Sequence, residues 1–420
     1  MGSPHPRASQ AKPPSEASLE RRVGAWIVGA RGSVATCAAY GLAGLRRGLI
    51  DPVGVVTARP PLAQLPLVAF EGLELGGHDV CRRPLTQSAG ELVRHGVLGA
   101  QLVDATAAEA AAFEARIRPG VLDGAEVGVA DLDTESARLG ALPPREQVAR
   151  VREDFAAFAR EERLGRVVVV NLASTEAYRE PQPEWHSLEA FEQALELGRS
   201  QPASLIYAYA AIGGGHPYVN FAPSPGASVP ALRELAQRMR VPHCGNDGKT
   251  GETLVKTVLA PLFVARNLHV LAWQGYNMLG NRDGEVLSDP LHRESKLRSK
   301  NDALRSILGT PDTHTQVGID YVPSLRDWKT AWDFVHFEGF LGARMSLQFT
   351  WTGSDSALAA PLVLDLARLT DLAAESGESG VMEHTASFFK SPIGGGTHDF
   401  HAQFQRLIDY ARSHARRGRD

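Results

Sequence analysis

Cysteine is scarce in this chain, and neither sign of charge dominates. The three cysteines, Cys37, Cys81 and Cys244, are odd in number, widely spaced and outside any CxxC pattern. That excludes a disulfide-stapled scaffold and a cysteine-built zinc site and makes a reduced cytoplasm the economical reading. The 14 histidines form no HxxxH or HxH pair, and His243 beside Cys244 lacks the second pair that zinc would need. Lys plus Arg number 44 against 48 Asp plus Glu, a net charge of −4 with both signs interspersed. No nucleic-acid surface is therefore expected. No apolar run reaches the roughly 18 residues of a membrane span, and residues 1–20 carry no apolar signal-peptide core. The expectation is a soluble, unexported, cytoplasmic protein.

What is present argues for two domains, since 420 residues exceed the usual size of a single core. Residues 1–20, rich in Pro, Ser, Ala and charge, read as a disordered tail. Order begins with the apolar run Gly24–Val28, followed by the glycine turn GARGSV (29–34) and a small-residue helix. VGVVTA (53–58) is expected to form the second strand, and alanine-rich helical pieces lie at 105–116. Residues 143–162 predict a helix from starting prolines and from Val148, Val151, Phe155 and Phe158 at three- and four-residue steps. RVVVVNLAST (166–175) and ASLIYAYAAI (203–212) read as buried strands, and Ser228 and Pro230 open a helix to Arg240.

This alternation predicts an α/β fold, a doubly wound Rossmann-like parallel sheet with ligands at the carboxyl ends of its strands. The loops GARGSV, NLASTE, AIGGGH and HCGNDG are expected at those ends. From Thr250 the order becomes helix (250–265), strand (268–274), polar loop, helix (299–308), strand (314–322), helix (327–337) and strand (343–351). Asp355 then caps a helix through Leu369. Trp328, Trp332 and Phe337, at helical spacing, are expected in the core. The expected domains are 21–246, an inserted α+β domain at 247–355, and a return to the first domain at 356–420.

Three glycine-punctuated polar blocks, GNDGKTGET (245–253), GYNMLGNRDG (275–284) and ESKLRSK (294–300), flank apolar segments and so read as rims of buried elements. Gly29 and Gly32 would let backbone N–H groups approach a pyrophosphate at a helix N-terminus, although G-x-x-G alone equally describes a tight turn. Arg31 and Arg59 leave a 2′-phosphate cofactor open. Lys296 and Lys300, four apart, form a phosphate clamp, or include a lysine of lowered pKa that serves in proton transfer, or make a plain basic turn. Asp247, Asp283, Asp327 and Asp355 hold lysines, bind a cation or cap helices; for any single one, capping is the simplest role.

Taken together, GARGSV, VVVVNLASTE, GNDGKTGET, GYNMLGNRDG, SKLRSK, IDYVPSLRDWKTAWDF, QFTWTGSDSALAAPLVLDLARL and FFKSPIG resemble the myo-inositol-1-phosphate (inositol-3-phosphate) synthase family, in the family's order over residues 24–400. The resemblance implies an NAD-dependent isomerase, a homotetramer of inositol and phospholipid biosynthesis, that converts D-glucose 6-phosphate to 1L-myo-inositol 1-phosphate. It implies oxidation at C5, loss of a C6 proton, attack of the enolate on the C1 aldehyde and re-reduction at C5. A divalent or monovalent cation is left open, and no metal ligand is assigned.

Carried over by motif, Lys296, Lys300, Lys329 and Lys390 become the catalytic and phosphate-facing lysines, with Lys296 the main acid/base group. Asp247, Thr250, Asn277 and Asp283 orient substrate and lysines. The resemblance places NAD on Gly29, Ala30, Arg31, Gly32, Ser33 and Val34, with Asp79, Leu172, Ala173, Ser174, Thr175, Ser224, Asn281, Asp327, Asp355 and Ser356 completing its pocket. Ala30, Arg31 and Val34 in the glycine loop, and Glu252, Met278 and Arg282 nearby, depart from the common family residues. Two alternatives stand: an NAD-dependent cyclase or dehydrogenase on another sugar phosphate, and a non-catalytic NAD-binding protein, which would have no need of four lysines.

Overall fold

The computed structural model describes residues 21–122, 131–280, 304, 307–309 and 312–417. The expected tail at 1–20, most of the expected helix 299–308, and Asn281, Arg282, Asp283, Lys296 and Lys300 lie outside the described residues.

Among the described residues, seven parallel strands form the main sheet. They are β1 (Val23–Val28), β2 (Leu73–Asp79), β3 (Ile117–Pro119), β4 (Arg166–Asn171), β5 (Tyr218–Asn220), β6 (Pro242–Cys244) and β11 (Gly380–Val381). Their order, β3-β2-β1-β4-β5-β6-β11, reverses direction between β1 and β4. A doubly wound sheet opens its ligand crevice at that switch point. Helices Ser33–Arg46 and Asp355–Glu375 pack on one face, and Pro144–Glu161, Ala203–Gly213 and Pro230–Met239 on the other. The expected helix at 143–162 forms because Val148, Val151, Phe155 and Phe158 share one buried stripe. Phe158 is seated where the strands have no side chains: a Cβ on Gly24 or Gly76 would come within 2.5 or 2.8 Å of its ring.

A second, four-stranded sheet consists of β7 (His269–Leu279), β8 (His314–Tyr321), β9 (Trp328–Glu338) and β10 (Arg344–Ser354), in the order β10-β9-β7-β8. β7 and β8 are parallel and the other pairs antiparallel. Helix Gly251–Ala265 covers its inner face.

Four expectations are corrected. VGVVTA is not a strand: Val56–Ala58 is a 3₁₀ turn whose Val56 and Thr57 N–H groups donate to the buried Asp365 carboxylate, and the true second strand is Leu73–Asp79. Residues 203–212 are a helix, buried on every side and therefore without the polar stripe that betrays helical period, so AIGGGH ends a helix. The helix expected at 327–337 is instead strand β9, Trp328–Glu338, and Trp328 and Trp332 are partly exposed rather than core. Ser354, not Asp355, caps helix Asp355–Glu375, its hydroxyl accepting the Ala357 N–H at 3.2 Å.

Candidate active site

The switch point is built by backbone. After β1, Gly29 takes φ +88°, and the Gly29 and Ala30 N–H groups both donate to the His78 carbonyl of β2, at 2.8 and 3.0 Å. A Cβ on Gly29 would stand 3.0 Å from Ala173 N and Leu172 O, so glycine is needed for both its angle and its closeness to the loop after β4. Gly32 is the N-cap of helix Ser33–Arg46 and offers no side-chain acceptor. The first-turn N–H groups of Ser33 and Val34 therefore suit an anion.

Asp79 ends the true second strand, which is where a doubly wound fold holds a ribose hydroxyl. Its carboxylate accepts the Arg31 N–H at 2.7 Å and the Cys81 N–H at 2.8 Å, and burial raises its pKa. The Arg31 guanidinium is committed elsewhere, to Glu114 at 2.9 Å and the Cys81 carbonyl at 3.2 Å. This arrangement suits a free 2′-hydroxyl better than a 2′-phosphate. Leu172 and Ala173 press on the glycine turn, and the Ser224 hydroxyl accepts the Glu176 N–H at 3.1 Å, tying the loops after β4 and β5 together. Thr175 and Ser224 are both buried.

The second half of the site is charged. GNDGKT (245–250) runs beside FFKS (388–391): Lys249 N–H donates to Phe388 O at 2.7 Å, and Lys390 N–H to Asp247 O at 2.7 Å. This register puts Lys390 Nζ 2.8 Å from Asp247 Oδ1, with both side chains nearly buried. Three residues along, Thr250 holds the N-cap position of helix Gly251–Ala265, yet its hydroxyl donates to Asp355 Oδ1 at 3.1 Å instead of capping. Lys329 of β9 approaches the other Asp355 oxygen at 3.5 Å. Beside it the Asp327 carboxylate accepts the Ser354 and Ser356 hydroxyls at 2.6 and 3.0 Å. Asn277 of β7 is fully buried on the same inner sheet face, opposite Ala331.

The segment 247–250 thus joins two lysine–carboxylate pairs, Lys390–Asp247 and Lys329–Asp355, and bridges the two sheets. Fixed ammonium groups of this kind can hold a phosphate and stabilise oxyanions.

Sequence reasoning missed two buried lysines. Lys249 Nζ donates to Gln403 Oε1 at 2.5 Å beneath the Phe400 ring, and burial, aided by Lys390, pushes its pKa down to about 7. Lys256 sits between Glu252 at 2.5 Å and Asp333 at 3.1 Å, and burial pushes Asp333 up to about 6. The signal for this cluster was present: Lys329, Ala331, Asp333 and Val335 alternate as one buried face of β9.

A family model for NAD binding, described as myo-inositol-1-phosphate synthase, matches residues 23–412. The chain is 33% identical over 406 residues to inositol-3-phosphate synthase 1 of Bacteroides thetaiotaomicron, covering 91% of each protein. Against inositol-3-phosphate synthase 1 of Homo sapiens it is 33% identical over 335 residues, 77% of this chain and 58% of that protein. The crystal structure of inositol-3-phosphate synthase from Caenorhabditis elegans superposes with a TM-score of 0.81 at 25% identity, covering 94% of this chain and 86% of that one. A myo-inositol-1-phosphate synthase-related protein from Thermotoga maritima shares the fold, with a TM-score of 0.72 at 24% identity over 93% of this chain and 98% of that one.

Proposed function

The chain belongs to the myo-inositol-1-phosphate synthase family, a family of enzymes, and from that premise we propose that it converts D-glucose 6-phosphate to 1L-myo-inositol 1-phosphate. The observation that carries this reading is the pair of lysine–carboxylate contacts, Lys390–Asp247 and Lys329–Asp355, joined by the segment that follows β6 in a doubly wound sheet whose switch point carries a glycine turn.

NAD, when bound, supplies reversible oxidation at C5 of the open-chain sugar. The protein's part begins with binding. The N-terminus of helix Ser33–Arg46 suits the pyrophosphate, and Asp79 suits a ribose hydroxyl. The loop Leu172–Thr175, Ser224, Asp327, Asp355 and Ser356 complete the walls of that pocket.

A ketone at C5 acidifies the C6 proton, which a base must remove; the resulting enolate closes the ring on the C1 aldehyde. Each stage develops negative charge on oxygen beside a phosphate dianion, so several fixed cations are required. Lys329 and Lys390 are two of them, each aimed by its carboxylate. Lys296 is assigned the proton transfer and Lys300 the phosphate by their place in SKLRSK, with Asn277, Thr250 and Asp283 orienting substrate. Among the described residues no cluster of three or more His, Cys, Asp or Glu side chains is placed to hold a metal ion.

The working assembly we propose is a cytoplasmic homotetramer. Residues 21–246 and 356–420 form the cofactor domain, and 247–355 the catalytic and oligomerising domain. The outer face of the second sheet supports this, since Tyr276 and Trp332 are 42% and 41% exposed beside Phe334. No helix among the described residues is long and apolar enough to cross a membrane.

The test is to incubate purified protein with glucose 6-phosphate and catalytic NAD and to identify the phosphorylated product by NMR. Inositol phosphate is expected. Its absence, with NADH accumulating in proportion to sugar consumed, would show a net dehydrogenase instead.

A further inference from the structure

Three buried asparagines at the carboxyl edge of the main sheet touch in series. Asn171, the last residue of β4, donates from Nδ2 to Asn220 Oδ1 at 3.0 Å. Asn220, the last residue of β5, donates to Asn246 Oδ1 at 3.1 Å, and Asn246, just past β6, donates to the Pro225 carbonyl at 3.3 Å.

The central amide is saturated. Asn220 Nδ2 also donates to the Ser224 carbonyl at 2.6 Å, and its Oδ1 also accepts the Ala222 N–H at 3.3 Å. An amide side chain has two donor hydrogens and two acceptor lone pairs, and here all four are used. Space is cleared for it: a Cβ on Gly226 would stand 2.5 Å from Asn220 Nδ2, and one on Gly245 would stand 3.0 Å from Asn220 Cβ.

Each end of the series reaches one half of the site. Asn171 Oδ1 accepts the Ala173 N–H at 3.2 Å, and that same backbone nitrogen lies against Gly29 of the dinucleotide turn. At the other end Asn246 N–H donates to Ser391 O at 2.9 Å, and Ser391 N–H to Asn246 O at 3.2 Å. The next residue in one strand and the previous residue in the other are Asp247 and Lys390, the ion pair itself. Because a buried amide left unpaired is costly, each side chain fixes the orientation of the next, and the row has a single satisfied arrangement.

We propose that Asn171, Asn220 and Asn246 act as positioning residues that lock the cofactor half of the site to the sugar-phosphate half, with Asn220 at the centre. This rests on the assignment of the two halves under Proposed function. None of the three is assigned to touch a ligand. Their effect is to make binding at one half register at the other, and such coupling is reciprocal.

The test uses calorimetric titration of the full-length protein with NAD, with and without saturating inorganic phosphate. In the unaltered protein phosphate is expected to tighten NAD by about 5-fold or more, a typical coupling between sites. Asn171→Ala, Asn246→Ala and Asn220→Ser should each bring that factor close to one while the phosphate-free NAD affinity moves by less than about 3-fold. The Asn171→Ala/Asn246→Ala double variant should lose no more than either single one, although those two side chains do not touch. Independent structural defects would instead add. If Asn220→Ser fails to fold, the two end variants carry the test alone.

Absent coupling in the unaltered protein, coupling retained in the end variants, or additive loss of both separate affinities overturns the proposal. Failure of the activity is distinguishable: protein that makes no inositol phosphate yet shows the coupling refutes the reaction and leaves the asparagine row standing.

Discussion

Lys390 Nζ stands 2.8 Å from Asp247 Oδ1, and Asp247 holds a left-handed backbone, φ 61°, to meet it. A carboxylate bound this closely fixes the ammonium in place but does not neutralise its usefulness to an incoming dianion, since the site is shielded from water and Coulomb terms there are strong.

Lys390→Met should therefore do two separable things. It should lower kcat by about 10²–10³, the usual effect of deleting one preorganised stabiliser of developing oxyanion charge. It should also lower the unfolding free energy, by up to about 3–5 kcal/mol, because the buried Asp247 carboxylate loses this ammonium. Steady-state kinetics and urea unfolding measure the two. An unchanged kcat would remove Lys390 from the chemistry.

Asp79 is expected to decide cofactor affinity. Asp79→Ala removes the carboxylate that accepts the Arg31 and Cys81 N–H groups and with it the proposed acceptor for a ribose hydroxyl. The NAD Kd should rise about 10- to 100-fold, the worth of a charged hydrogen bond, and the NADP Kd should move less. Fluorescence titration with both nucleotides checks this, and equal losses for the two would contradict the role.

Lys249 gives a stability signature in pH. Burial, opposed by Asp399 and aided by Lys390, pulls its pKa from 10.5 down to about 7. Between those values the unfolded chain binds the proton and the folded chain does not, so this residue makes stability rise with pH across that window. The slope is at most about 1.4 kcal/mol per pH unit. Below about pH 7 the cost of a buried ammonium is fully present. Lys249→Met should therefore be more stable than the parent at about pH 6, with the difference shrinking towards about pH 10. Urea melts across that range measure it, and a difference that grows with pH would reverse the assignment.

The outer face of the second sheet predicts assembly. Trp332→Glu places charge at the centre of a face that already exposes Tyr276 and Trp332. It should reduce the particle mass seen by light scattering from that of the proposed tetramer, with the secondary structure intact by circular dichroism. An unchanged mass would show that association uses another surface.

The same face explains what the sequence hid. β1, the glycine turn, β4 and helix Pro144–Glu161 were legible because each carries one clear periodicity and one clear terminus. Residues 203–212 were not, because a helix buried all round shows no polar stripe and imitates a strand. In β9 the pattern is inverted: Lys329 and Asp333 are on the buried face while Trp328 and Trp332 are on the exposed one, so the aromatics suggest a core helix. Only the family resemblance marks Asp79, since the apolar run at 53–58 imitates the strand that Asp79 ends. The lysine–carboxylate pairs could not be read from spacing at all, because Asp247 and Lys390 meet only when two distant segments run side by side.

The main sheet closes late. Its edge strand β11 and the helix Asp355–Glu375 that packs against Ser33–Arg46 both follow the whole second sheet in the chain, and Lys390 comes after them. A polypeptide leaving the ribosome therefore has its dinucleotide turn long before its last lysine. Because domains fold from the N-terminal side as they emerge, a nascent chain still short of Lys390 has only just gained β11 and lacks the Lys390–Asp247 pair. Completion of the cofactor domain and arming of the site are one event in synthesis.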